Sequence, residues 1–293
     1  MDAENADTAQ AVAGNDPAEV FRGKSVVITG ASNGIGSGFA RHAAALGMRV
    51  VLADIAEEPL RALTEELRAG GAQAEAVRTD VSDAEAVAAL ADRADEVFGG
   101  TDMLINNAGI MAMGYSWEIP LDRWEAMLRI NTGGVVNGLH AFVPRMLERG
   151  SRAWILNLSS VGGFAAAPLM APYSATKFAN LALTESLHLE MRMRGAPIQV
   201  SVVTPGSVKS EIFTTARDTD ANVAPEVATM NSQLQRLADE HGITPEEHAR
   251  RVFEQVAQGR FWVVPQPDQL DPMLRPRTEM ILSRTDPQLQ GGF

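Results

Sequence analysis

The sequence contains no cysteine. That excludes disulfides, thiolate catalysis and cysteine-ligated zinc together. It has no excess of basic charge: the formal net charge is -12 and the pI about 4.9. A nucleic-acid footprint needs the opposite sign, as does electrostatic docking on anionic membranes. There is no apolar run long enough to span a bilayer. Met1 to Glu19 has neither a basic nor an apolar signal region, so a cytoplasmic location is expected. The five histidines, His42, His140, His188, His241 and His248, show no metal-ligand spacing, and no metal site is expected.

What is present is a long chain with a regular rhythm. The 293 residues are 45% hydrophobic, enough for one large core. Residues 1–21 have few large apolar groups and read as a disordered extension. From there, short β-branched runs alternate with helical segments. Strands are predicted at 25–29, 49–53, 74–79, 103–105, 153–158, 198–203 and 261–264. Helices are predicted at 34–46, 57–69, 83–98, 121–149, 172–194, 226–240 and 245–258, the fourth weakened by Gly133, Gly134 and Gly138. This alternation predicts an α/β fold, a doubly wound parallel seven-stranded sheet in a single domain over 22–265. The tail, 266–293, is Pro-rich and reads as irregular, with room for one short helix.

Three stretches carry chemistry. The first strand runs into Thr29-Gly30-Ala31-Ser32-Asn33-Gly34-Ile35-Gly36. A strand, a glycine-rich turn and a helix N-terminus make a dinucleotide site. Asp54 ends the second strand, where a carboxylate accepts ribose hydroxyls and repels a 2′-phosphate. Ile55 and Asn33 are not the cations a 2′-phosphate would want, so NAD is expected over NADP. Further on, Tyr173 and Lys177 stand four apart, on one face of a predicted helix. A neighbouring ammonium favours the phenolate, which would let Tyr173 exchange a proton near neutrality. The same pair also describes an exposed tyrosine beside a solvated lysine, and the upstream motifs decide between the two.

Taken together, the Thr29–Gly36 turn, Asn106-Asn107-Ala108-Gly109, Asn131, Ser159-Ser160, Tyr173–Lys177 and Pro205-Gly206 resemble the short-chain dehydrogenase/reductase family over about residues 22–210. The resemblance implies a Rossmann-type domain and a catalytic set of Asn131, Ser160, Tyr173 and Lys177. Ser160 would hold the substrate oxygen, Tyr173 would act as acid and base, and Lys177 would bond the nicotinamide ribose. Asn131 would position a water that links Lys177 to solvent. It implies cofactor contacts at Gly30, Ser32, Asn33, Gly34, Ile35, Gly36, Asp54, Asp80, Val81, Asn107, Ala108 and Gly109. Tyr173, Lys177, Pro205, Gly206, Val208 and Ser210 complete them, Ser210 standing where the family often has Thr. A further resemblance is to bacterial members that oxidise benzylic alcohols of lignin-derived aryl ethers, on the long tail with Phe261-Trp262-Val263-Val264-Pro265.

The loops after Ser160 and after Gly109 contain no Arg or Lys. An apolar secondary alcohol or ketone, aromatic or alicyclic, is the expected partner. Ser207–Pro225 reads as a substrate lid that carries Lys209, Phe213 and Arg217. Phe178, Leu181, Leu183 and Leu187 leave the Tyr173 helix with surplus apolar surface, so a homodimer or homotetramer is expected. Two other functions stay open: a dinucleotide-sensing protein without turnover, and an NADPH-dependent ketone reductase.

Overall fold

The computed structural model describes residues 16–210 and 224–288. Strand β1 (Ser25–Thr29) is buried along its whole length, as is β5 (Ala153–Leu158). Strands covered on both faces read as unbroken apolar runs rather than alternations. With β2 (Arg49–Asp54), β3 (Ala74–Arg78), β4 (Met103–Asn106), β6 (Ile198–Val203) and β7 (Trp262–Val263), they form one sheet. Every neighbouring pair is parallel, in the order β3-β2-β1-β4-β5-β6-β7. The order reverses between β1 and β4, which opens a crevice at their carboxyl ends.

The helices are α1 (Pro17–Phe21), α2 (Gly34–Ala45), α3 (Glu57–Ala69), α4 (Ala84–Phe98), α5 (Leu121–Met127), α6 (Gly134–Arg149), α7 (Ala171–Met193), α8 (Pro225–His241), α9 (Pro245–Ala257) and α10 (Pro267–Ser283). One core cluster packs Phe39, Leu52, Trp154 and Phe253 on one side of the sheet. The other packs Leu104, Phe142, Met146, Ile155 and Leu187 on the opposite side. Between α5 and α6 the chain winds as a π-helix over Leu128–Gly133, so the predicted 121–149 helix is continuous but wider in its middle. Such bulges re-aim side chains at functional positions. The residue re-aimed here is Asn131, which is fully buried.

Two expectations need correction. Residues 17–21, read as disordered, are helical: Asp16 caps the Ala18 amide at 3.0 Å, and Pro17 opens α1. Phe21 is 0% exposed, with its ring 5.3 Å from both Trp154 and Phe253. Burying one such side chain contributes about 1.5–3 kcal/mol, a long-range gain that local composition does not register. The remainder of the extension, residues 1–15, lies outside the described residues. The tail, read as irregular with room for one short helix, holds the longer, 17-residue α10 despite Pro272 and Pro276 inside it. Its first turn is anchored rather than free. Gln266 Nε2 donates to the Ser207 carbonyl at 2.8 Å, and the Ser207 amide donates to Gln269 Oε1 at 2.7 Å.

Candidate active site

The glycine turn closes because its residues lack side chains where backbone meets backbone. A Cβ on Gly36 would lie 1.9 Å from the Gly30 carbonyl oxygen. Gly30 itself is left-handed (φ 63) against Ala108. Asn107 stitches the turn from the side: its Nδ2 donates to the carbonyls of Thr29 (2.9 Å) and Gly30 (3.0 Å). Thr29 Oγ1 accepts the amides of Asn107 and Ala108 at 3.0 and 3.1 Å. Asn33, the N-cap of α2, is exposed and makes no side-chain capping bond. The amides that open α2 are thus left to an anion, the arrangement a pyrophosphate requires. On that observation the residues fit a dinucleotide.

Ser32 bonds Asp54. Asp54 Oδ2 accepts the Ser32 amide at 3.0 Å and its hydroxyl at 2.7 Å, while Oδ1 accepts the Ala56 amide at 3.0 Å. A carboxylate has about four acceptor positions, so Asp54 both pins the turn and keeps capacity for a ribose hydroxyl. Asp80 accepts from Ser82 at 2.9 and 2.8 Å, and Val81 is buried against Gly134. Ser210 lies over Gly34, where a Cβ on that glycine would meet it at 3.1 Å. Val208 bridges to Ile243, and the Pro205 carbonyl accepts the Val161 amide at 3.1 Å, which ties the loop after β6 to the loop after β5. Ile35 is half-buried beside the turn, and Gly206 packs against Gln269.

Tyr173 and Lys177 sit on α7 at 7% and 6% exposure. Lys177 Nζ lies 5.6 Å from the Tyr173 ring centroid and donates to the Leu158 carbonyl at 3.2 Å. A Cβ on Gly109 would come within 3.7 Å of that ammonium. Burial pushes the Tyr173 hydroxyl above the ordinary phenol range, with a hydrogen bond to Ser160 pulling the other way. Burial pushes Lys177 down to about 8. In the chain alone the shift runs opposite to the expected lowering, because desolvation outweighs the Ser160 hydrogen bond.

The Asn131 side chain spans two elements. Its Oδ1 accepts the Ile110 amide at 2.8 Å; its Nδ2 donates to the Ile110 carbonyl at 2.9 Å and Thr176 Oγ1 at 3.1 Å. The side chain is a clamp between the loop after β4 and α7. The Asn131 carbonyl accepts from Asn180 Nδ2 at 2.9 Å, and Asn180 also reaches the Leu158 carbonyl at 3.4 Å. Sequence reasoning missed Asn180, although its i,i+3 spacing from Lys177 placed it on the same helix face. Ser159 bonds the Lys177 carbonyl at 2.9 Å and is structural, whereas Ser160 reaches Tyr173 and accepts the Gly162 amide at 3.2 Å.

Above Tyr173 lies an apolar cluster of Met111, Met113, Met127, Leu169, Met170 and Met230. The predicted lid residues Phe213 and Arg217 lie outside the described residues. A surface cavity of about 440 Å³ opens elsewhere, bordered by Arg41, Met48, Arg49 and Gln73. Its Arg41 is already paired with Glu66 at 2.7 Å, and none of the cleft residues lines it. Among the described residues no acidic or histidine cluster could hold a metal, and no helix is long and apolar enough to cross a membrane.

The parallel order, the crevice and the uncapped α2 define a dinucleotide-binding α/β protein. The family model described as short chain dehydrogenase matches residues 24–221, and the chain belongs to that family of nicotinamide-dependent oxidoreductases. It is 32% identical over 252 residues to a C alpha-dehydrogenase of Sphingobium sp., covering 85% of this chain and 82% of that one. A solved short chain dehydrogenase/reductase of Burkholderia phymatum, in complex with NAD, superposes with a TM-score of 0.89 at 36% identity, covering 93% of this chain and 99% of that chain. An actinorhodin polyketide ketoreductase with NADPH superposes with a TM-score of 0.72 at 29% identity, over 83% and 95% of the two chains.

Proposed function

We propose that the protein transfers a hydride between NAD and an apolar secondary alcohol or ketone, using Asn131, Ser160, Tyr173 and Lys177. The observation that carries this is the convergence of the Tyr173 hydroxyl, Ser160 and the Lys177 ammonium beside the crevice and beneath an apolar cluster. Oxidation of an alcohol releases a hydride from carbon and a proton from oxygen. When bound, the oxidised nicotinamide supplies the hydride acceptor and a positive charge in the cleft. Once the phenol proton has passed to solvent, the Tyr173 Oη phenolate takes the alcohol proton, and Ser160 Oγ holds the same substrate oxygen as charge develops. Lys177 lowers the cost of the phenolate by its charge. Asn131 keeps Ile110 and Thr176 in register, so the wall over Lys177 does not move. The methionines exclude water and adapt to irregular apolar shapes.

Asp54 supports NAD over NADP, since a 2′-phosphate would be driven against its carboxylate. The NAD-bound Burkholderia relative supports the same choice. The likeness to a C alpha-dehydrogenase supports an alcohol-oxidising reaction. A self-association surface belongs to this reading: Leu189 and Met193 (86% exposed) on α7, with Leu128 and Val136 before and on α6. Leu187 is not part of it, because it is buried in the core. Light scattering at micromolar concentration should show a dimer or tetramer.

The test is absorbance of the reduced cofactor on mixing the protein with NAD or NADP and a panel of alcohols. The reading predicts turnover of apolar secondary alcohols with higher kcat/KM for NAD. Activity confined to sugars would reject the substrate class. Preference for NADP would reject the role of Asp54, and cofactor binding without turnover would leave a sensor.

A further inference from the structure

Two non-glycine residues among those described have left-handed backbone: Leu169 (φ 63) and Arg284 (φ 58). Arg284 closes α10, an ordinary place for that conformation. Leu169 stands in a turn, where that conformation usually falls to glycine or asparagine rather than to a leucine. It lies in the loop between β5 and α7, four residues before Tyr173. Side chains other than glycine are disfavoured there and persist only where surroundings hold them. Glycine would adopt this backbone freely. The leucine side chain is therefore kept for what it touches.

It touches the apolar cluster around Tyr173, with Met111, Met113 and Met170. Its carbonyl accepts the Gly114 amide at 2.9 Å, a backbone bond that joins the two loops bordering the cleft. The same left-handed turn thus joins both loops and places the side chain in the apolar cluster that includes Tyr173. We infer that Leu169 limits the bulk of the group the substrate carries on its carbinol carbon, a specificity-determining residue held at its post by backbone strain. The inference rests on the alcohol or ketone chemistry proposed above.

The experiment compares the wild type with Leu169→Gly and Leu169→Ala on cyclohexanol and on diphenylmethanol, with NAD. Glycine removes the side chain and relaxes the backbone; alanine removes most of the side chain and keeps the strain. Both variants should raise the kcat/KM ratio of diphenylmethanol to cyclohexanol by about tenfold, the scale of discrimination a few pocket carbons provide. The gain should lie in KM, with kcat for cyclohexanol within about twofold of wild type. Leu169→Gly should melt at or above Leu169→Ala. An unchanged ratio in both folded variants, or an equal loss on both alcohols, overturns the inference. A lower Tm for glycine than for alanine overturns the strain argument. A second readout needs no turnover: benzophenone added with NADH should raise the Tm of Leu169→Gly more than that of wild type. If the wild type turns over no alcohol or ketone, the dehydrogenase reading fails. The benzophenone shift then decides alone: a larger shift in Leu169→Gly upholds the size limit, and an equal shift removes it.

Discussion

The two halves of the cleft are built on opposite plans. Around the glycine turn, short polar groups fix the backbone through many bonds of 2.7–3.1 Å, from Asp54, Asn107 and Thr29. Around Tyr173, five methionines pack with Leu169, and the loops share the Gly114–Leu169 bond. The first plan suits a ligand that never changes, because each donor and acceptor has one correct place. The second suits a ligand whose shape is set by dispersion and exclusion of water, where flexible side chains refill the space. The polar half should therefore break under small changes that the apolar half absorbs.

The largest effect should come from Gly36→Ala, since the new methyl would meet the Gly30 carbonyl. Loss of NADH binding by calorimetry is expected, with destabilisation of about 1–3 kcal/mol from overpacking. Asp54→Ala comes next. It strips partners from Ser32 and Ala56; kcat/KM with NAD should fall by about tenfold or more, as loss of a charged hydrogen bond of ~1.5–3 kcal/mol implies, while NADP gains on NAD.

Lys177 stands where the halves meet, and its effect is read through pH. Burial holds its folded value at about 8, below the unfolded lysine near ~10.4. Between those values the unfolded chain binds more protons than the folded one, so stability rises with pH through that window. Below it both states are protonated and the full burial penalty remains. The buried Tyr173 opposes this from about pH 9 upward, as an unfolded tyrosine of pKa ~10 begins to ionise, and it does so equally in the wild type and in Lys177→Met. From about pH 8 to 9.5 the wild type should gain about 1.5 kcal/mol relative to Lys177→Met by denaturant melts. The smallest effect should be that of Met113→Leu, a volume-conserving change worth less than about 1.5 kcal/mol. It should leave NADH affinity untouched. Equal damage from Met113→Leu and Asp54→Ala would erase the distinction between the halves.

The polar half was also the more legible in the sequence. Gly30, Gly34 and Gly36 follow a β-branched run and open a helix, a local pattern that needs no tertiary knowledge. Most of the strands were legible for the same reason, as short apolar runs bounded by turn residues; β3, with Glu75 and Arg78, was legible from its place in the strand–helix rhythm. What escaped depends on contacts distant in sequence. Phe21 finds Trp154 and Phe253 only after the sheet is assembled. Gln266 and Gln269 meet Ser207 across 59 and 62 residues. The direction of the Tyr173 shift depends on how completely it is buried, which the i,i+4 spacing of Tyr173 and Lys177 does not state. The strain at Leu169 was hidden because a leucine gives no local sign of a left-handed backbone.

The most direct test pairs two readings on Tyr173→Phe: the rate of NADH formation from an apolar secondary alcohol, and NADH affinity by fluorescence titration. Removing one hydroxyl that carries the proton should lower kcat by about 10³-fold, within the span of general acid–base contributions, while affinity stays within about twofold. Turnover at the wild-type rate in that variant would contradict the account.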